Sequence, residues 1–262
     1  MSTKEQSVTL LRKNKLAQVK AFQSVGMSDV NESTRASEFA DRIKWAAGLY
    51  DICLACKRIS DGTDWYFTKE EWNTVTNSNK ALFVKRGLRI RAFGHSFVLA
   101  AQDCTTAEGD ITMPWSNKVN VSELTNRLRG DAYRDFKGLE NTELIIAQLS
   151  GTTGSQNITG APAAECAKAY KAFTAEYDGI EDTSDWHLPA LGVCIILYRI
   201  KPAVQEALAY FWSDESKLAI ASLWSSTELD AENAWYVSMS SGVVSYSVKD
   251  TKYRVRAVCD VM

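Results

Sequence analysis

ASLWSSTELDAENAWYVSMSSGVVSYSVKDTKYRVRAV, residues Ala221 to Val258, is the stretch on which the fold class turns. Three short runs in it alternate with a period of two, the period of a half-buried strand. Trp235, Val237 and Met239 point one way, and Tyr236, Ser238 and Ser240 the other. Ser241-Gly242 supplies a tight turn, because glycine takes a positive φ without steric cost. Val244, Tyr246 and Val248 alternate with Val243, Ser245 and Ser247, and Lys249-Asp250-Thr251-Lys252 forms a polar turn. Tyr253, Val255 and Ala257, interleaved with Arg254 and Arg256, complete the pattern. The expectation is an antiparallel meander with one buried face and one face of small polar and aromatic residues. Such a face suits adaptable contact, since Tyr gives area at low entropic cost and Ser and Asn give hydrogen bonds. An ordinary solvated sheet face has the same composition.

Upstream, the sequence switches to helical spacing. Leu191 to Ile200 and Val204 to Phe211 are apolar runs separated near Pro202. Ala163 to Ala175 is expected to be a helix with Cys166, Ala167, Tyr170 and Phe173 inward, and Asn141-Thr142 to open another. GTTGSQNITG, 151–160, reads as a loop. Phe83-Val84, Leu88 to Ala92 and Ser96 to Ala101 read as strands, with Lys85 to Arg91 presenting a charged face. Further back, residues 4–24 carry a thin apolar stripe, 27–36 are polar, and Ser37 caps a helix expected to run through Cys53 and Leu54. Asp61-Gly62-Thr63 is a turn, and Thr68-Lys69-Glu70-Glu71 has the form of a capping box before Trp72. The order predicts an α+β chain in two parts: a helical amino-terminal unit over 1–81 for assembly or attachment, and a mixed domain over 82–262.

The 262 residues are 45% hydrophobic and 24% charged, with a net charge of −2, which points away from a nucleic-acid partner. No run approaches the roughly 18 apolar residues of a membrane span, and the polar opening MSTKEQ lacks the apolar core of a secretory signal. Synthesis and folding in a cytoplasm are therefore expected. Cys53 and Cys56 form a C-x-x-C, but no second such pair accompanies it and the only histidines are His95 and His187. Buried, reduced thiols are the expectation, with no metal site. His95 and His187 are expected to hydrogen-bond locally, since a metal site needs three or more protein ligands. No nucleophile–base grouping stands out, so neither catalysis nor a cofactor is expected.

The strings W-S-S-T-E, N-A-W-Y-V, S-G-V-V and Y-R-V-R-A-V (from Trp224, Asn233, Ser241 and Tyr253) resemble the carboxy-terminal variable region of proteins diversified by retroelements, in the versions found in Bacteroides and their phages. Trp186-His187-Leu188-Pro189 is similar to the family's W-x-L-P element, and Gly138 to Thr142 and Gly160 to Ala164 resemble its middle segment. The amino-terminal KEQSVTLLRKNKLAQVKAFQSVG is also similar, so the resemblance covers essentially the whole chain.

That resemblance implies a C-type lectin fold, related to formylglycine-generating enzymes and to phage receptor-binding proteins, with the variable region at about 221–258. It implies a phage tail protein that recognises a bacterial surface protein or glycan, and a homo-oligomer or virion contact through the amino-terminal helices. A non-variable structural tail protein or a bacterial adhesin of the same fold is the alternative. Cys194 and Cys259 lack the setting of a reactive pair, and the calcium and sugar triplets of calcium-dependent lectins are absent.

The resemblance also implies adenine-directed mutagenesis at AAC or AAT codons, whose products cannot encode Met, Trp, Lys, Gln or Glu. Trp224, Glu228, Glu232, Trp235, Met239, Lys249 and Lys252 are then scaffold. Leu223, Leu229, Asp230, Asn233, Tyr236, Ser238, Ser240, Ser241, Val243, Ser245, Tyr246, Ser247, Asp250 and Thr251 are candidate ligand contacts. Leu223 and Leu229, though apolar, are read as selected contacts rather than core.

Overall fold

The computed structural model describes residues 50–121, 124, 129–173, 180–213 and 216–261. The chain divides into two units, Met1–Asp51 with Arg91–His95 and Ile52–Ile90 with Ser96–Met262. Of the first unit, residues 50–51 and 91–95 are described: strand ends and a turn in which Phe93 and Gly94 take φ of 51° and 83°. The expected helix over 4–24, the polar stretch 27–36 and the start of the helix from Ser37 lie outside the described residues.

The second unit holds mixed helices and antiparallel sheet, an α+β arrangement. Its early strands are β1 (Tyr50–Arg58), β2 (Asp64–Phe67), β3 (Phe83–Ala92) and β4 (His95–Ala100), with β10 (Val258–Asp260) returning from the carboxy-terminal end. Together they form one sheet in the order β10-β4-β3-β1-β2. The helix expected to run through Cys53 and Leu54 is therefore strand from Tyr50 onward. A short apolar run buries equally well in either conformation. Here Leu54, Ala55 and Cys56 pair with Phe67, Tyr66 and Trp65, and a place between β2 and β3 gives the run partners on both edges. The same pairing joins 50–67 to the sheet that was expected to begin at residue 82.

Between β2 and β3 the chain makes two short helices, α1 (Lys69–Thr74) and α2 (Asn77–Lys80). The capping box of α1 is complete: Thr68 Oγ1 accepts from Glu71 N at 3.1 Å, and Glu71 Oε2 accepts from Thr68 N at 2.8 Å. The Asp61-Gly62-Thr63 turn forms as expected, with Gly62 at φ 67°. The charged face expected on β3 is incomplete. Arg86 falls on the side of Leu88 and Ile90, is buried, and pairs with Asp64 at 3.0 Å.

Beyond β4 lie β5 (Met113–Pro114) and the helices α3 (Arg129–Ala132), α4 (Gly138–Leu149), α5 (Pro162–Ala169), α6 (Leu191–Arg199) and α7 (Lys201–Phe211). Helix α4 starts three residues before Asn141, and α5 stops at Ala169 rather than Ala175. Pro202 sits in the first turn of α7, where its missing N–H is no loss. The core under the sheets contains Trp115, Ile145, Leu149, Trp186, Trp224 and Val255.

The Trp186-His187-Leu188-Pro189 corner is tied down on three sides. Trp186 Nε1 donates to Asp182 Oδ2 at 2.8 Å, His187 Nδ1 lies 2.8 Å from the Asp185 carbonyl, and His187 exchanges both backbone hydrogen bonds with Val258 of β10. Burial holds the His187 imidazole below its ordinary pKa. Burial opposes ionisation of Asp182, but hydrogen bonds from Ser184, the Ala172 N–H and Trp186 outweigh it and hold that carboxyl below its usual value.

Candidate functional site

The expected meander forms: β6 (Ser222–Glu228), β7 (Asn233–Ser238) and β8 (Val244–Val248) make a three-stranded antiparallel sheet in that order. Its register divides the side chains between two faces. Trp224 stands opposite Tyr236, and Tyr236 opposite Ser245, so these share one face. Leu223 stands opposite Val237, and Trp235 opposite Tyr246, on the other. Helix α6 packs against β6 and β7, and Tyr198 of α6 lies against Gly242. Gly242 takes φ 74°, and a Cβ there would lie 2.2 Å from the Tyr198 ring. The Ser241-Gly242 turn expected from sequence thus needs glycine for two independent reasons.

The residues expected to be scaffold divide by burial. Trp224, Glu228, Trp235, Met239 and Lys249 are buried, whereas Glu232 and Lys252 are exposed. Glu228 and Lys249 form an ion pair with both side chains fully covered. Val121 N donates to Glu228 Oε1 at 3.1 Å, Lys249 Nζ donates to the Val119 carbonyl at 2.9 Å, and the ammonium lies 4.8 Å from the Trp115 ring centre. Burial pushes the Glu228 carboxyl up and the Lys249 ammonium down, and each partner's charge opposes the shift in the other.

The polar segment Ser225-Ser226-Thr227 is entirely buried. Thr227 Oγ1 donates to Asp135 Oδ2 at 2.7 Å and accepts from Leu191 N at 3.0 Å. Asn141 Nδ2 bridges Asp135 Oδ2 at 2.8 Å and Ser226 Oγ at 3.2 Å, and Ser226 N donates to the Pro189 carbonyl at 2.8 Å. Asp135 is the hub of this network. Nothing in its local sequence marks it, because its partners come from β6, α4 and the start of α6.

Among the fourteen candidate contacts, Leu223 is corrected: it is fully buried on the α6 side, so it is core. An alternating strand gives an apolar residue no label, and pairing with Val237 places this one inward. The other thirteen reach the surface, but not as one face. Tyr236, Ser238, Ser245 and Ser247 lie on the Trp224 side of the β7–β8 hairpin. Tyr246 lies on the Trp235 side, with ring centres 5.6 Å apart, and is 52% exposed because β8 is the sheet's edge. Ser240, Ser241 and Val243 are exposed at the connecting turn. There Ser238 Oγ lies 2.8 Å from Ser240 Oγ and accepts from Ser241 Oγ at 3.0 Å.

Leu229, Asp230 and Asn233 belong to the opposite end of the sheet. Asp230 Oδ1 accepts from the backbone N–H of Glu232 and of Asn233, both at 2.8 Å, which makes it a turn-former. Asp250 is held by Lys118 at 2.7 Å and by Gln156 Nε2 at 2.9 Å, and Thr251 Oγ1 lies 3.0 Å from Ser247 Oγ. Tyr253, in β9 (Lys252–Tyr253), was missed. Its ring packs 4.7 Å from Tyr236 and 4.6 Å from Trp224, extending the aromatic floor of the hairpin face. Burial, followed by the neighbouring Tyr253, raises the Tyr236 hydroxyl pKa.

Two clefts, of about 620 and 570 Å³, open elsewhere, and none of the fourteen residues lines either. Burial pushes the thiols of Cys56, Cys194 and Cys259 up to about 12, so they stay protonated at neutral pH. Among the described residues, no three of His, Cys, Asp and Glu gather as a metal site, and no helix is long and apolar enough to cross a membrane.

No family model and no curated protein matches the chain. A solved fimbrial protein from Bacteroides ovatus is similar at 14% identity and a TM-score of 0.46, over 80% of this chain and 43% of its own. The chain spans less than half the length of that protein.

Proposed function

We propose that this protein is a ligand-binding display scaffold of the retroelement-diversified kind, with a C-type lectin architecture. Its contact surface is the β7–β8 hairpin: Tyr236, Ser238, Ser245 and Ser247 on one side, Ser240, Ser241 and Val243 at the turn, and Tyr246 on the outer edge. The single observation that carries the reading is the division by burial in the last forty residues. Five of the seven side chains that adenine mutagenesis cannot produce are buried, while thirteen of the fourteen candidate contacts reach the surface. The fold proposal draws on a carboxy-terminal strand that rejoins the early sheet, and on a smaller sheet that carries the exposed turns.

Binding in this reading is contact without chemistry. Tyrosine rings supply area, hydroxyls supply adaptable hydrogen bonds, and the buried ion pair and Asp135 network hold the backbone still while the surface changes. The partner is a protein or glycan on a bacterial surface, met by a phage tail component, and several copies on one particle strengthen weak single contacts.

Sequencing the 3′ end of the gene across a natural population tests this. Substitutions concentrated at Tyr236, Ser238, Ser240, Ser245, Tyr246 and Ser247, with Trp224, Glu228, Trp235 and Lys249 fixed, are expected. Variation spread evenly along the chain would refute diversification and leave a non-variable adhesin or tail protein.

A further inference from the structure

Away from the hairpin, Cys104 and Cys166 both line the 620 Å³ cleft. Cys104 follows β4, is buried, and is fixed by its backbone N–H donating to the Val255 carbonyl at 2.8 Å. Cys166 lies on α5, which packs against α4, and is half-buried at the cleft surface. Cys166 Sγ donates to the carbonyl of Thr105, the residue after Cys104, at 3.2 Å, which brings it beside Cys104 in the lining of the same cleft. Cys53, Cys56, Cys194 and Cys259 are buried like Cys104, so Cys166 alone of the six is partly exposed.

We propose that Cys104 and Cys166 are a redox-active dithiol that closes to a disulfide when it meets a low-molecular-weight disulfide. Cys166 is the attacking sulfur, because it opens on the cleft. Its thiolate attacks one sulfur of RSSR, breaks the S–S bond and releases RS⁻, leaving Cys166–S–S–R. Cys104 then loses its proton to water in the cleft and attacks Cys166 Sγ, which expels the second RS⁻. Both leaving thiolates are protonated, so two protein thiols are oxidised and one RSSR is reduced to two RSH.

The division of labour agrees with the local electrostatics. A hydrogen bond from the Cys104 thiol pulls Cys166 below its ordinary pKa, and the same bond, with burial, raises Cys104. The disulfide ties α5 to the segment after β4. Gln102 to Glu108 and Pro162 to Lys171 are the two banks of the cleft, so oxidation fixes its width. This inference is independent of the ligand-binding reading.

The full-length protein is incubated with oxidised glutathione, blocked with N-ethylmaleimide, unfolded and mapped by mass spectrometry. A Cys104–Cys166 linked peptide is expected, with Cys53, Cys56, Cys194 and Cys259 recovered as thiols after unfolding. Cys104→Ser is expected to hold one glutathione on Cys166, and Cys166→Ser none on Cys104. The wild-type midpoint of thermal unfolding should rise by roughly 5–10 °C on oxidation and return with reductant, as for closing a loop of this length. Stable glutathione on wild-type Cys166, a linkage between other cysteines, or a linked protein with a lowered midpoint would each overturn the proposal.

Discussion

Strands β6 and β8 belong to one sheet, and both are rich in serine, yet they play opposite parts. In β6, Ser225, Ser226 and Thr227 are sealed from water, with hydroxyls committed to Asp135, Asn141 and the Trp235 carbonyl. In β8, Ser245 and Ser247 reach solvent between the exposed Tyr246 and Val248. The difference comes from what lies against each strand. β6 has β7 on one edge, Arg254 bridging the other, and α4 and α6 packed against it. β8 is an edge strand whose ladder partner among the described residues is β7. A buried hydroxyl is tolerated only when its hydrogen bonds are met within the protein, whereas an edge hydroxyl is served by water or by a ligand.

Five experiments would break or sharpen this contrast. The largest effect is expected at the base of the sheet. Lys249→Met strands the Glu228 carboxylate in the core and should cost about 3–5 kcal/mol in urea unfolding, while Glu228→Leu combined with Lys249→Met should recover most of it. A single variant as stable as wild type would show that the pair is not buried. Leu223→Ala comes next, at about 2–5 kcal/mol for a fully buried leucine. A loss under 0.5 kcal/mol would instead return Leu223 to the surface.

Thr227→Val keeps the shape but removes the hydroxyl between Asp135 and Leu191 N, and should cost about 1–3 kcal/mol. The same exchange at the edge, Ser247→Val, should be nearly neutral, so equal losses would erase the distinction between the strands. Acidification should weaken the corner behind β6. His187 binds a proton less readily folded than unfolded, so stability is present above its unfolded pKa of roughly 6.5 and falls as pH drops through that value. Asp182 acts in the same sense at lower pH, because the unfolded chain takes up the proton first. Urea midpoints at pH 7.5 and 5.5 measure the slope, and His187→Gln should flatten it.

The smallest stability effect belongs to the hairpin. Tyr246→Ser and Ser245→Asn should each move stability by less than about 0.5 kcal/mol, while changing which bacterial surface preparation the protein retains. A loss above 2 kcal/mol at either position would make β8 structural rather than a display edge.

Much of this was legible before any coordinates. The period-two alternation of Trp235, Val237 and Met239 against Tyr236, Ser238 and Ser240 is the observed pattern of burial, and the capping box at Thr68 and the glycine turn at Gly242 form as read. These are local signals, fixed by backbone geometry over a few residues. Other features were not legible because distant chain decides them. Cys53 to Cys56 is strand rather than helix through pairing with β2 and β3. Leu223 is core through its register with Val237, and Asp135 is a hub only after β6 folds across it.

The sequence by itself determined the α+β class and the meander, because alternation and turn chemistry act within one strand and its neighbour. Only the tertiary structure decided which serines are wet, which lysine is dry and which two of six cysteines line one cleft. Burial is a property of what packs against a residue, and for Ser226, Lys249 and Cys104 the packing partners lie far away along the chain.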